Sequence, residues 1–119
     1  MVNEDGDGWD LPGGGWEHAE TIEQALAREV SEELGVALQA CSGPLAVLSL
    51  FVPRHQRHGA YIIYRATLQS EDFVITAPVT EIAYVPVATL SVEQLDHHLR
   101  PVADTFIPLL QRLCNVTIS

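Results

Sequence analysis

The segment 22–34 constrains the fold most, because it predicts a single helix with both ends marked. Thr21 and Gln24 fit a capping box, in which the hydroxyl and the side-chain amide each pair with a backbone group at the helix N-terminus. The segment itself is rich in Ala, Leu, Glu and Gln, which favour helix. Gly35 suits the left-handed position that follows a helix. The sequence therefore predicts a helix that starts near Thr21 and stops before Gly35.

Three glutamates crowd one side of this helix. At about 100° per residue, Glu32 and Glu33 lie about 60° behind and 40° ahead of Glu29. Like charges at these spacings repel one another, so without a counter-ion at least one glutamate should have a raised pKa. A solvated, charged helix face is the plainer interpretation. A bound divalent cation would instead relieve the repulsion, and an all-oxygen ligand set favours Mg²⁺ or Mn²⁺ over zinc.

An apolar stripe predicts how the helix packs. Its members recur at helical spacing, about a quarter-turn from the carboxylates, and are Ile22, Leu26, Val30 and Leu34. Since this stripe should face a sheet, we expect the carboxylates at the rim of the helix–sheet interface.

A glycine run precedes the helix, and an arginine within the helix can hold the intervening loop. Gly13, Gly14 and Gly15 can bring bare backbone close to a ligand or donate a carbonyl to a metal. Arg28 lies at about -100° on the helical wheel, which points it away from the carboxylates. We expect it to clamp the loop through Glu20; the alternative is an ordinary surface ion pair.

Composition excludes several function classes. The 119 residues form one domain, 1–119, and carry a net charge of -10 with no lysine, so binding to duplex nucleic acid is not expected. No apolar run approaches the roughly 20 residues that span a bilayer, and no membrane partner is expected. The N-terminus lacks the build of a signal peptide, and two cysteines are too few for a disulfide framework. A cytoplasmic, reduced protein is the expectation.

The rest of the chain predicts an α+β layered domain. Aromatic and β-branched residues predict strands, and periodic apolar residues predict helices. The predicted strands are 44–52, 60–68 and 82–87, and the predicted helices are 91–99 and 101–114. The loop 53–59 contains Arg54 and Arg57, which could steer or grip a phosphate or carboxylate on a ligand; a polar hairpin tip is the alternative.

Together these residues resemble the Nudix box. The pattern is Gly, five residues, Glu, seven residues, then Arg-Glu-aliphatic-x-Glu-Glu-x-Gly-aliphatic. Its fixed positions are matched here by Gly14, Glu20, Arg28, Glu29, Val30, Glu32, Glu33, Gly35 and Val36. The approach 9–14 and the segment 81–86 also look like their counterparts in the family. The resemblance implies a Nudix-like α/β/α sandwich around a small mixed sheet.

The resemblance also implies a chemistry. Glu29, Glu32 and Glu33 would bind Mg²⁺ (Mn²⁺ is possible), with the carbonyl near Gly14 in the shell. The ion would help water attack a diphosphate in a nucleoside diphosphate linked to another group, such as an NTP, a nucleotide sugar or a dinucleotide. Glu29 is the first candidate for the group that takes the proton from water. Glu81 is the second, and a strand-edge charge is the alternative for it.

The chain departs from the family pattern at its N-terminus. Family members place a strand or two before the approach to the box, whereas only eight residues precede Trp9 and none has a strand pattern. An uncovered sheet edge invites pairing, so we expect a homodimer, and sedimentation as a monomer would count against it. The departure keeps two alternatives open, an inactive Nudix-like nucleotide-binding module and a nonfunctional remnant.

Overall fold

The computed structural model describes residues 1–15, 17–52 and 56–116. Its strands and helices are, in chain order, β1 (Val2–Glu4), β2 (Trp9–Asp10), α1 (Ile22–Leu34), β3 (Leu38–Val52), β4 (Arg57–Leu68), β5 (Val79–Ile82) and α2 (Ala103–Val116). Three short 3₁₀ helices, at Val87–Thr89, Val92–Gln94 and His97–Val102, lie between β5 and α2.

The α1 helix has the ends that its sequence predicts. The Gln24 N–H donates to the Thr21 hydroxyl at 3.1 Å, and the Thr21 N–H donates to the Gln24 side-chain carbonyl at 2.9 Å. Gly35 adopts the left-handed conformation, with φ 70° and ψ 19°, and its N–H donates to the Ser31 carbonyl. The boundaries of α1 are therefore set by local signals.

The strands form two antiparallel sheets. One has the order β2-β1-β5, and the other is the β3–β4 hairpin. The α+β class is confirmed, with these two sheets in place of one small mixed sheet. The expectation of no strand before Trp9 was wrong, because Val2 pairs with both Asp10 and Ile82. Three residues are too short to show alternation, so β1 depends on pairing with distant partners.

Several element boundaries differ from those predicted. The strand predicted at 44–52 begins at Leu38, and the strand predicted at 60–68 begins at Arg57. The strand predicted at 82–87 lies at Val79–Ile82, where it pairs with β1. The helix predicted at 91–99 is divided between two 3₁₀ helices, and α2 begins at Ala103, two residues after Pro101.

Two apolar clusters hold the layers together. The larger joins β3 to α2 and the segments before it, and contains Leu48, Leu50, Leu90, Leu95, Leu99, Ala103, Phe106 and Leu110. The smaller packs α1 against β1 and β5, and contains Val2, Val30, Leu34, Val36 and Val79. Val30 and Leu34 of the apolar stripe are buried in this second cluster and Leu26 packs against it, whereas Ile22 does not belong to it. The neighbouring carboxylates therefore lie at the rim of the cluster, as the sequence predicts.

Candidate active site

The three α1 glutamates line one cleft together with a fourth carboxylate. The cleft has a volume of about 460 Å³, and its lining comprises Glu4, Glu29, Glu32, Glu33, Thr76, Ala77, Pro78 and Val79. Strand β1 supplies Glu4, and the segment leading into β5 forms the facing wall. Sequence reasoning missed Glu4, because its position depends on the pairing of β1 with β5 and no local pattern marks that strand.

The cleft raises the pKa of Glu33. Burial raises the pKa of its carboxyl to about 8, and the charges of Glu4, Glu29 and Asp10 add to the rise. A hydrogen bond from the Gly13 N–H to Glu33 Oε2, at 2.8 Å, acts in the opposite direction. The expected raised pKa is therefore found at Glu33, where crowding and burial combine.

Arg28 contacts both the loop and the carboxylates. Its Nε and Nη2 donate to the two Glu20 oxygens at 2.8 and 3.1 Å, and Nη2 also donates to the Gly15 carbonyl at 2.9 Å. Its Nη1 lies 2.7 Å from Glu29 Oε1 and 3.4 Å from Glu32 Oε2. Hydrogen bonds to Glu20 and Glu29 raise the pKa of Arg28 above its usual range.

The contact with Glu20 is thus present, but the expectation that Arg28 points away from the carboxylates was wrong. A helical wheel gives the direction of the Cα–Cβ bond, whereas the long arginine side chain spreads its planar donor fork over several neighbours. Arg28 therefore supplies positive charge to Glu29 and Glu32 that the sequence argument had left out.

The glycine run packs bare backbone against the acidic helix. An added Cβ at Gly14 would lie 2.8 Å from the Glu29 carboxyl carbon, which is closer than real Cβ contacts allow. Gly13 contributes the N–H that meets Glu33. The close approach of the glycine loop to α1 therefore depends on the absence of a side chain at Gly14. The carbonyl of Gly14 as a metal ligand remains a prediction.

The chemistry of the cleft fits a hard divalent cation. The acidic donors are all carboxylate oxygens, which Mg²⁺ and Mn²⁺ prefer. Within the described ranges, no three Asp, Glu, His or Cys side chains already converge on a metal position. Glu29 and Glu32 face Arg28 instead, and Glu33 faces the Gly13 N–H. Cation binding therefore requires these side chains to turn toward one another.

Other predicted site residues lie outside this cleft. Glu81 is exposed on β5, opposite Asn3, and is not among the residues that line the cleft. Its role as a base therefore stays a hypothesis without a supporting contact. Arg54 falls outside the described residues, as does the side chain of Arg57, so their contact with a phosphate stays a prediction.

A second polar group, absent from the sequence predictions, lies beside the glycine loop. The Tyr61 hydroxyl donates to Asp10 Oδ2 at 2.8 Å and lies 2.6 Å from His98 Nε2. His98 Nδ1 lies 2.7 Å from Asp96 Oδ1. The hydrogen bond with Asp10 raises the pKa of His98, and burial raises that of Tyr61 above its usual range. Asp10, Tyr61 and the Asp96–His98 pair are far apart in sequence, so no spacing signal marked them as a group.

Comparison with known proteins decides the family. The model of the NUDIX domain matches residues 2–110. The chain belongs to the Nudix family. This Nudix domain is also 45% identical over 47 residues to an 8-oxo-dGTP diphosphatase of Proteus vulgaris, a match that covers 40% of the chain and 42% of that protein. No helix in the described part of the chain is long and apolar enough to cross a membrane.

Proposed function

We propose that this Nudix domain hydrolyses a phosphoanhydride bond in a nucleoside diphosphate compound, with Mg²⁺ as cofactor and Mn²⁺ as a substitute. The observation that carries the proposal is the cleft lined by Glu4, Glu29, Glu32 and Glu33, in which the pKa of Glu33 is raised to about 8. Burial and the neighbouring charges disfavour the charged form of Glu33 unless a cation joins it. Family membership and the named activity of the Proteus vulgaris protein support the same chemistry.

Glu29, Glu32 and Glu33 would hold the ion, with the Gly14 carbonyl as a further ligand. When bound, such an ion offsets the charge of the diphosphate and lowers the pKa of a water molecule. Arg28 keeps the glycine loop in place through Glu20 and the Gly15 carbonyl. Glu29 is preferred over Glu81 as proton acceptor, because Glu29 lines the cleft and Glu81 does not.

An apolar cavity next to the glycine loop favours a nucleotide over an inorganic polyphosphate. It measures about 110 Å³, and its lining comprises Met1, Pro12, Leu34, Leu68, Phe73, Ile82, Ala83 and Tyr84. The centroids of the Phe73 and Tyr84 rings lie 6.2 Å apart. Among the residues that line the cavity, Leu34 follows Glu33 of the cleft in the chain and Pro12 precedes Gly13 of the glycine loop. Aromatic and apolar walls suit a base or sugar attached to the diphosphate.

A homodimer and a cytoplasmic location belong to the same proposal. Strand β1 pairs with both β2 and β5 and so occupies the sheet edge that was expected to be bare. A dimer is therefore no longer needed to cover that edge. Val47 and Phe51 lie on one face of β3 and remain exposed, Val47 to 64%, and Leu45 is exposed as well, which supports pairing through this sheet instead. Cys41 is a free thiol, which suits a reducing compartment.

A substrate panel tests the proposal. We expect phosphate from at least one of the (d)NTPs, 8-oxo-dGTP, ADP-ribose, NADH and diadenosine polyphosphates in Mg²⁺. Inorganic pyrophosphatase serves as the coupling enzyme for the triphosphates and alkaline phosphatase for the others. EDTA present during the first step, and overcome with excess Mg²⁺ and Zn²⁺ after this protein has been removed and before the coupling enzyme is added, should abolish release. Glu23→Gln should keep the wild-type rate, because Glu23 lies on α1 but outside the cleft. Nucleotide binding without product from any compound would contradict hydrolysis and favour the binding module.

A further inference from the structure

Asp10, Tyr61, Asp96 and His98 form a half-buried polar group that we call the Tyr61–His98 cluster. Besides the contacts described above, His98 Nε2 lies 3.2 Å from Asp10 Oδ2. The side chains of Asp10, Asp96 and His98 are only 13% to 19% exposed. The members come from β2, from β4 and from the start of the third 3₁₀ helix. The cluster therefore ties together three separate parts of the chain.

The backbone around the cluster is fixed as well. The Asp96 N–H donates to the Trp9 carbonyl at 2.9 Å, and Trp9 forms a parallel bridge with Leu95. Gly8 has a φ of 119°, and an added Cβ there would collide with the Leu95 carbonyl oxygen. Backbone contacts thus hold the segment 8–10 against the segment 95–98. The side chains of Asp10 and His98 therefore meet on backbone that is fixed in place.

Asp10 connects this cluster to the candidate active site. It is the last residue of β2, and its Oδ1 accepts a hydrogen bond from the Leu11 N–H at 2.7 Å. Its Oδ2 accepts from Tyr61 and faces His98. Three residues after Asp10, the Gly13 N–H donates to Glu33. One oxygen of Asp10 therefore holds the start of the glycine loop while the other holds the cluster.

We propose that Tyr61 and His98 are positioning residues, which hold the Asp10 carboxylate so that the glycine loop presents the Gly13 N–H to Glu33. The proposal rests on the proposed function only in assigning Glu33 to the reaction. The groups that face His98 are Asp10, Asp96 and the Tyr61 hydroxyl. The raised pKa of His98 favours the charged ring, whose Nδ1 meets Asp96 Oδ1 and whose Nε2 meets the Tyr61 hydroxyl and lies 3.2 Å from Asp10 Oδ2.

The direct test follows the exchange of the Gly13 amide with water, measured by NMR. Removing one hydrogen bond to a charged group should speed this exchange by about tenfold in Tyr61→Phe and by more in His98→Ala. Tyr64→Phe, on the same strand, and His97→Ala, beside His98, are the matched controls and should match the wild type. Unchanged Gly13 exchange in a folded Tyr61→Phe protein would overturn the proposal.

A second readout separates positioning from a general loss of stability. We expect the cluster variants to lower kcat with little change in KM, since neither Tyr61 nor His98 is among the residues that line the cleft. His98→Gln should recover part of the activity and of the slow Gly13 exchange that His98→Ala loses, because its amide can still donate to Asp10. A lower Tm with wild-type kcat and Gly13 exchange would overturn the proposal. If the wild-type protein hydrolysed no compound of the panel, the proposed function would be contradicted. Gly13 exchange would still decide whether Tyr61 and His98 position the glycine loop.

Discussion

The Glu33→Gln variant is expected to lose at least roughly two orders of magnitude in turnover, because it removes a charge that would hold the metal. It should also be more stable than the wild type without metal at pH 7.5. Burial opposes the ionised Glu33, whereas glutamine is neutral and its carbonyl can still accept from the Gly13 N–H. A residue that lowers stability while supporting turnover is characteristic of an active site.

The stability difference should depend on pH in a defined direction. The folded-state pKa of Glu33 is about 8, above its ordinary value of 4.5. Between these values the unfolded chain releases the proton that the folded chain keeps, so the free energy of unfolding falls as pH rises. Glutamine removes this contribution. Urea denaturation from pH 5 to 9 in EDTA should therefore show the gain of Glu33→Gln growing up to about pH 8.

Glu23→Gln is the control for this pair of measurements. It removes a glutamate from the same helix, outside the cleft, and its stability should follow that of the wild type across the pH range. A stability gain of Glu33→Gln that does not vary with pH would contradict the assigned environment of Glu33. Turnover close to the wild-type rate would contradict its role in the reaction.

The Gly14→Ala variant is expected to lose about ten- to a hundredfold in kcat/KM with little change in stability, because a small misplacement of a reacting group has effects of this size. The added Cβ would meet the Glu29 carboxyl at 2.8 Å. That carboxyl is the far end of a flexible side chain, so it can turn aside without disturbing the helix. Its displacement moves a proposed metal ligand.

Gly15→Ala is the matched control, because a Cβ there would meet no atom of the described residues within 4 Å. Neither Gly14 nor Gly15 has the left-handed φ that favours glycine, so the two substitutions differ mainly in what the methyl group meets. We expect Gly15→Ala to keep most of its kcat/KM. Equal losses in the two variants, measured beside their urea midpoints, would contradict the close approach of Gly14 to Glu29.

Local signals made α1 and its carboxylates predictable. The capping pair Thr21–Gln24 and the C-terminal Gly35 act within a few residues of the helix ends, and the wheel angles of Glu29, Glu32 and Glu33 follow from helix geometry. The rim position of these carboxylates followed from the apolar stripe beside them. These are the features on which the sequence prediction and the structure agree.

Features that depend on distant partners were not predictable in this way. Strand β1, and with it Glu4, exists because Val2 pairs with Asp10 and Ile82. The Tyr61–His98 cluster joins residues separated by 37 and 51 positions. The reach of Arg28 toward Glu29 depends on a side-chain conformation that a wheel does not specify. Each of these needs the folded chain.

Arg28 changes the electrostatic environment of the α1 carboxylates. Its Nη1 lies 2.7 Å from Glu29 Oε1, so it already relieves part of the repulsion that the sequence argument assigned to a metal ion. It contacts neither Glu33 nor Glu4 in any described hydrogen bond. Because the pKa of Glu33 stays raised beside Arg28, the case for a cation depends most on Glu33.

Titration of the purified protein with Mn²⁺, with the free ion followed by electron paramagnetic resonance, tests the metal site most directly and needs no substrate. The wild type and Glu23→Gln should bind Mn²⁺ alike, and added Mg²⁺ should displace it. Glu29→Gln and Glu33→Gln should each weaken binding by at least about tenfold, since each removes a charged oxygen ligand. No binding by the wild type, or equal binding by all four proteins, would contradict a metal site among these glutamates.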